Sequence, residues 1–196
     1  MAVFHRRQHL GKDYFMEHVL DVKKLVNELT LEEKASLCSG ADFWHTKAID
    51  RLNIPAAMVS DGPHGIRKQE SLADHMGVAE SIKAIGFPTA SAMACSFDRD
   101  LLHKVGDALG EECVAEDLAV LLGPGINMKR SPICGRNFEY YSEDPVVAGE
   151  LGAAFVNGVQ EHGVGTSLKH FAANNQEWRR MSISAEIDER TLREIY

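Results

Sequence analysis

Six polar side chains stand where short apolar runs break off: Asp61 and Arg67 after Pro55-Ala-Ala-Met-Val-Ser60, Arg136 and Glu139 after Leu118-Ala-Val-Leu-Leu122, and Lys169 and His170 at the end of Val164-Gly-Thr-Ser-Leu168. The C-terminal ends of buried strands are where parallel α/β proteins keep their ligand-binding groups. A convergent set of carboxylate, guanidinium, ammonium and imidazole without Cys-His metal spacing suits a neutral polyhydroxylated ligand. Such groups chelate adjacent hydroxyls by charge-assisted hydrogen bonds, and a sugar is the natural candidate. Each residue also has a plainer reading. Asp61-Gly62-Pro63 is good turn chemistry by itself, Arg136 and Glu139 can form a surface ion pair of little energetic weight, and His170 can be a satisfied core histidine.

The elements that must position these residues emerge from periodicity and punctuation. Val22, Leu25, Val26 and Leu29 recur at helical spacing, predicting a helix over 17–29. Thr30-Leu-Glu-Glu33 is a capping box opening a second helix over 31–39. The run 55–60 reads as a strand leading into a functional loop from Asp61 to Gly65. Gly86-Phe-Pro-Thr-Ala90 is a further extended candidate. Asp98 then caps a helix over 99–115, with Phe97 expected to staple against Leu102.

Residues 118–122 form a continuous apolar run, the pattern of a strand covered on both faces. Asp144-Pro145 supplies an N-cap and an N1 proline for a helix to about 161, residues 164–168 form the next strand, and Asp188 caps a last helix that the sequence cuts at Tyr196. Strand and helix thus alternate four times, which requires right-handed crossovers and a parallel sheet. An open doubly wound sheet and the first part of a (β/α)8 barrel compete. Nothing like Gly-x-Gly-x-x-Gly after the first strand or a phosphate-binding Gly-x-x-x-x-Gly-Lys loop is present, which weakens the nucleotide-binding form of the open sheet.

With 196 residues and 44% hydrophobic content the chain can bury one substantial core. Its 21 Lys and Arg against 29 Asp and Glu give a net charge of −8 with no long block of either sign, which disfavours nucleic acid and anionic membrane as partners. No apolar run reaches the roughly 18 residues of a membrane span. Cys38, Cys95, Cys113 and Cys134 are far apart, with neither zinc-site nor disulfide-framework spacing, so reduced thiols in a cytoplasmic protein are expected. No cofactor and no metal are implied. Residues 1–16 lack both a signal-peptide pattern and the periodicity of the helices and strands downstream, and read as a flexible arm.

Several longer segments carry a resemblance. Leu31-Glu-Glu-Lys-Ala-Ser-Leu-Cys-Ser-Gly40, Val59-Ser-Asp-Gly-Pro-His-Gly-Ile-Arg67, Gly123-Pro-Gly-Ile-Asn127, Gly135-Arg-Asn-Phe-Glu-Tyr-Tyr-Ser-Glu-Asp-Pro145, Leu168-Lys-His-Phe-Ala-Ala-Asn-Asn-Gln-Glu177 and Asp188-Glu-Arg-Thr-Leu-Arg-Glu-Ile-Tyr196 together resemble the first domain of glycoside hydrolase family 3, the family of many β-glucosidases. The likeness runs over 17–196 and implies an α/β fold, a partial (β/α)8 barrel of roughly the first four β/α units, truncated at Tyr196.

Carried over residue by residue, the resemblance makes Asp61, Arg67, Arg136, Lys169 and His170 substrate-binding, with Glu139, Asn174, Asn175 and Glu177 bracing the pocket. It implies a retaining β-glucosidase acting on a terminal non-reducing β-D-glucosyl residue of a β-glucoside or oligosaccharide. Both catalytic carboxylates, an Asp nucleophile and a Glu acid/base, would then lie beyond Tyr196. Asp61 is not promoted to nucleophile, and the chain alone is expected to be a poor catalyst or none. The alternatives are a related β-xylosidase or arabinosidase, or a non-catalytic half barrel that binds sugar or a partner. A half barrel exposes a strand edge, so the missing C-terminal half or self-association is expected to cover it. Against the hexosaminidase branch, Lys169-His170 leads into Phe-Ala-Ala-Asn-Asn.

Overall fold

A computed structural model describes residues 21–69 and 80–196. The expected arm over 1–16 and the start of the first predicted helix lie outside them. The chain divides into two compact units, the first ending at Ala56 and the second covering Ala57–Tyr196.

In the first unit Asp21 caps α1 (Val22–Glu28) and Thr30 caps α2 (Leu31–Leu37). The capping box forms as its residue types require: the Thr30 amide donates to Glu33 Oε2 at 2.8 Å and the Glu33 amide donates to Thr30 Oγ1 at 3.2 Å. Arg51, from a 3₁₀ turn over Asp50–Leu52, donates to Glu33 Oε1 at 3.0 Å and to the Glu28 carbonyl at 2.9 Å. One arginine thereby ties the start of α2 to the end of α1.

The second unit is built on three short parallel strands in the order β1-β2-β3: β1 (Val59–Asp61), β2 (Val120–Leu122) and β3 (Gly165–Thr166). Register is fixed by Val59 opposite Val120, Asp61 opposite Leu122, and Val120 opposite Gly165. Between them run α3 (Ala90–Ala94), α4 (Arg99–Ala115), a 3₁₀ turn over Asn137–Glu139 and α5 (Pro145–Gln160); α6 (Glu189–Ile195) comes after β3. Asp98, Asp144 and Asp188 cap α4, α5 and α6 through their carboxylates, each meeting the first free amides of its helix.

Alternation along the strands assigns the faces. Leu121, fully buried, joins Leu109, Cys113, Phe155 and Val159 in a core against α4 and α5. Val120 and Leu122 point the other way and are only half-buried, so the apolar run is not covered equally on both faces. Asp61 shares register with Leu122 and therefore lies on the face away from the helical core.

Three expectations are corrected. Asp61 is the last residue of β1 rather than the first of a loop. Residues 86–89 join no strand, and Thr89 instead caps α3, its hydroxyl accepting from the Ala92 amide, so the sheet has three strands where four alternations were expected. Phe97 has φ of 50° and is 73% exposed while Leu102 is fully buried, so no staple forms; the left-handed turn carries the ring away from the helix.

Helices α4 and α5 pack backbone to backbone. A Cβ on Gly158 would lie 2.2 Å from the His103 carbonyl oxygen and 2.7 Å from the Asp107 amide, neither of which can move without the helix. Gly158→Ala is therefore expected to destabilise the protein by about 1–3 kcal/mol through overpacking, despite alanine's advantage of up to about 1 kcal/mol in a helix. Urea unfolding of the two proteins measures the sign; a stabilised variant would show that the helices are not in this contact.

Candidate functional site

Parallel pairing carries the C-terminal ends of β1 and β3 to the same end of the sheet, and there Lys169 Nζ donates to Asp61 Oδ1 at 2.6 Å across 108 residues of sequence. Beyond β2, the Lys169 amide donates to the Pro124 carbonyl and the Ile126 amide to the Lys169 carbonyl, so Lys169 is held by backbone on both sides. The Lys169–His170 peptide is cis. The turn after Asp61 folds back because Gly62 takes φ of 130°, a region open to glycine, and the Arg67 amide then donates to the Asp61 carbonyl at 3.0 Å.

The loop after β2 returns through the 3₁₀ turn and brings up Arg136. Its Nε donates to the buried Glu139 carboxylate, its Nη2 lies 2.9 Å from His170 Nε2, and its Nη1 is 3.8 Å from Glu177 Oε1. The Nη1 nitrogen is buried and makes no hydrogen bond, leaving both of its N–H donors unused. Glu139, only 7% exposed, is no surface partner. Burial opposes the Arg136 charge, but the hydrogen bond and charge of Glu139 outweigh it and raise the guanidinium above its usual range.

His170 is held at three points. Its amide donates to Asn127 Oδ1 at 2.6 Å, Tyr140 Oη lies 2.9 Å from Nδ1, and Arg136 faces Nε2. Burial, reinforced by the Arg136 charge and opposed by Glu139, lowers its pKa to about 4. Burial pushes the Tyr140 phenol up to about 12. His64, from the turn after β1, is also lowered by burial, and its Nε2 accepts from the Ala90 amide at 3.0 Å at the start of α3.

Two cavities meet at His170. The larger, about 740 Å³, is also lined by Arg130, Asn175, Arg180, Asp188 and Tyr196; the smaller, about 110 Å³, by Asn127, Lys169 and Phe171. Asp61 and Arg136 line neither, and reach the cavities through their partners Lys169 and His170.

Of the five predicted binding residues, Asp61 is thus joined to Lys169 and Arg136 to His170, while Arg67 connects to Asp61 through its backbone. Glu139 and Glu177 flank the guanidinium, and Asn174 donates to Glu177 Oε1 at 3.2 Å. Sequence reasoning missed Tyr140, Asn127 and Arg180. Tyr140 and Asn127 stand inside the family motifs but look like ordinary core and loop residues. Arg180, held by Glu177 Oε2 at 3.2 Å, sits in a segment without periodic signal. Trp44 is buried against Phe43 at 4.7 Å between ring centroids, whereas Trp178 is 69% exposed.

At pH between 6.5 and 4 the unfolded chain takes up a proton on His170 that the folded chain refuses. Stability is therefore expected to fall as pH drops through that window, with His64 adding a slope of the same sign. Unfolding free energy measured across the window should lose part of this slope in His170→Gln; an unchanged slope would mean that His170 is not held neutral.

Residues 22–195 match the glycosyl hydrolase family 3 N terminal domain. The thermostable β-glucosidase B of Acetivibrio thermocellus is 60% identical over 177 residues, which are 90% of this chain and 23% of that protein. The exo-α-(1→6)-L-arabinopyranosidase of Bifidobacterium longum is 54% identical over 172 residues, 87% of this chain and 23% of that protein. The crystal structure of a β-glucosidase from Kluyveromyces marxianus superimposes with a TM-score of 0.82 at 44% identity, covering 91% of this chain and 21% of that one. The chain spans less than a quarter of these relatives' length. Its parallel sheet and helices agree with that match over nearly the whole length, and the chain belongs to glycoside hydrolase family 3.

Proposed function

We propose that this chain supplies the glycone-binding groups of a retaining β-glucosidase, with Asp61, Arg67, Arg136, Lys169 and His170 holding a terminal β-D-glucosyl residue. The observation that carries the reading is the strand-end cluster itself. Carboxylate, ammonium, guanidinium and a neutral imidazole are brought together, with Lys169 and His170 lining the cavities. Adjacent sugar hydroxyls each donate and accept, so a set containing both acceptors and fixed donors matches them.

Mechanistically, such groups work by differential binding. As the ring flattens toward an oxocarbenium ion its hydroxyls shift and acidify, and the hydrogen bonds they donate to Asp61 and accept from Lys169 strengthen more in the transition state than in the ground state. Lys169 holds Asp61 Oδ1 at 2.6 Å, so the two groups are oriented on each other before a sugar arrives. The double displacement needs two carboxyl groups about 5–5.5 Å apart. In this reading the nucleophilic aspartate and the acid/base glutamate lie outside residues 1–196, and these residues position the sugar for them.

A second reading, hydrolysis of an α-L-arabinopyranoside, draws on the 54% identity to the Bifidobacterium longum protein. The two sugars differ in the C4 hydroxyl orientation and in the hydroxymethyl group, so a pair of chromogenic glycosides separates them. Asp61→Asn and Lys169→Met, made in the protein carrying this segment with both catalytic carboxylates, are each expected to lower kcat/KM on the β-glucoside by about 100-fold or more, about 2.7 kcal/mol. Unaltered kcat/KM in both variants would refute glycone binding by this cluster. Glucose binding without hydrolysis would favour a non-catalytic sugar-binding role.

A further inference from the structure

Hydrogen-bond polarity at His170 is dictated by the chemistry of its neighbours. A guanidinium has no acceptor, so Arg136 Nη2, 2.9 Å from His170 Nε2, donates, and Nε2 must offer a lone pair. A neutral imidazole carries one N–H, which then sits on Nδ1. The group 2.9 Å from Nδ1 is the Tyr140 hydroxyl, whose oxygen accepts it. Tyr140 is almost fully buried, and its ring meets the imidazole edge to face with centroids 5.9 Å apart and planes at 86°, so little rotation of either ring is open.

Both rings are fixed from the backbone as well. The Ser91 hydroxyl donates to the Asn137 carbonyl at 2.7 Å and approaches the Tyr140 carbonyl at 3.3 Å, holding the 3₁₀ turn from which Tyr140 emerges. Lys129 Nζ in turn donates to Ser91 Oγ at 2.7 Å. On the other side Asn127, buried, accepts from the His170 amide and donates through Nδ2 to the Asn174 carbonyl at 3.0 Å.

We propose that Arg136 and Tyr140 together hold His170 in the Nδ1-protonated tautomer, Arg136 by requiring a lone pair at Nε2 and Tyr140 as the positioning residue that accepts the Nδ1 proton and fixes the ring, so that Nε2 is a dedicated acceptor facing the Arg136 donor. A ligand hydroxyl entering between them then has one allowed orientation: its oxygen accepts from Arg136 Nη2 and its proton goes to His170 Nε2. One protein–protein bond is replaced by two bonds of fixed direction. A group that only accepts, such as an ether oxygen or a fluorine, finds no partner at Nε2. The site thereby selects a free hydroxyl over its methylated or fluorinated analogue at that ring position. The substrate side of this inference rests on the glycone-binding reading above; the tautomer does not.

Nitrogen-15 NMR of the chain labelled at histidine tests it, with the His170 signals assigned by their disappearance in His170→Gln. At pH 7.5 the wild type is expected to show a protonated Nδ1 and an unprotonated Nε2. In Tyr140→Phe, which keeps the buried ring and removes the acceptor, Arg136 still selects Nδ1–H, but the Nδ1 proton is expected to lose its hydrogen bond, its signal moving upfield and exchanging faster with solvent. A protonated Nε2 in the wild type overturns the proposal without reference to any variant, and so does an Nδ1 proton whose shift and solvent exchange are unchanged in Tyr140→Phe.

The kinetic arm uses the protein carrying this segment together with both catalytic carboxylates. There Tyr140→Phe is expected to lower kcat/KM about 10-fold and to shrink the preference for the β-glucoside over its deoxyfluoro analogues. An unshrunk preference counts against the proposal. Loss of the glycone-binding reading would instead appear as no effect of Asp61→Asn or Lys169→Met, while the NMR result stood.

Discussion

Parallel pairing of β1, β2 and β3 is the constraint from which the site descends. Strands of three, three and two residues contribute few hydrogen bonds, yet they set which residues face one another. A one-residue slip in β1 would turn Asp61 toward the helical core and Ser60 toward Lys169. The register is protected on the opposite face, where Leu121 is sealed by α4 and α5 and has no room to exchange with its half-buried neighbours. Close packing of those helices at Gly106 and Gly158 keeps that seal tight.

On this frame the cluster works as a network of polar groups that restrain each other. Lys169 neutralises Asp61, Glu139 neutralises Arg136, and His170 remains uncharged because burial and the adjacent guanidinium disfavour a proton. Buried polar networks are costly when half satisfied and rigid when complete. Here the rigid part is Glu139, Tyr140 and Asn127, which hold Arg136 and His170. The incomplete part is Arg136 Nη1, buried 3.8 Å from Glu177 and without a hydrogen bond.

Helix starts contribute stability rather than chemistry. Six aspartates and threonines among the described residues, Asp21, Thr30, Thr89, Asp98, Asp144 and Asp188, accept from the first free amides of their helices. Each such cap is worth about 1 kcal/mol. The cap on α3 is doubled, since His64 from the turn after β1 also accepts from Ala90, which joins that turn to the element carrying Ser91.

Caps and stripes were legible in the sequence because they are local. Asp98, Asp144 and Asp188 signal helix starts within three residues, and α4 begins and ends where the apolar stripe predicts. The longer motifs carried the family, and strand ends marked Asp61, Lys169 and His170 as candidates. The short extended segment 86–89 could not be told from a strand, because propensity does not reveal whether a neighbour offers a free edge. Phe97 failed as a staple because its backbone turns left-handed, which no apolar spacing encodes. Only the tertiary structure decided which polar groups meet: Lys169 finds Asp61 across 108 residues, Tyr140 finds His170 across 30, and Asn127 finds its amide across 43. Those pairings depend on the relative placement of loops that leave different strands. The sequence determines each strand and loop locally, but the sheet register alone sets the distances between their ends.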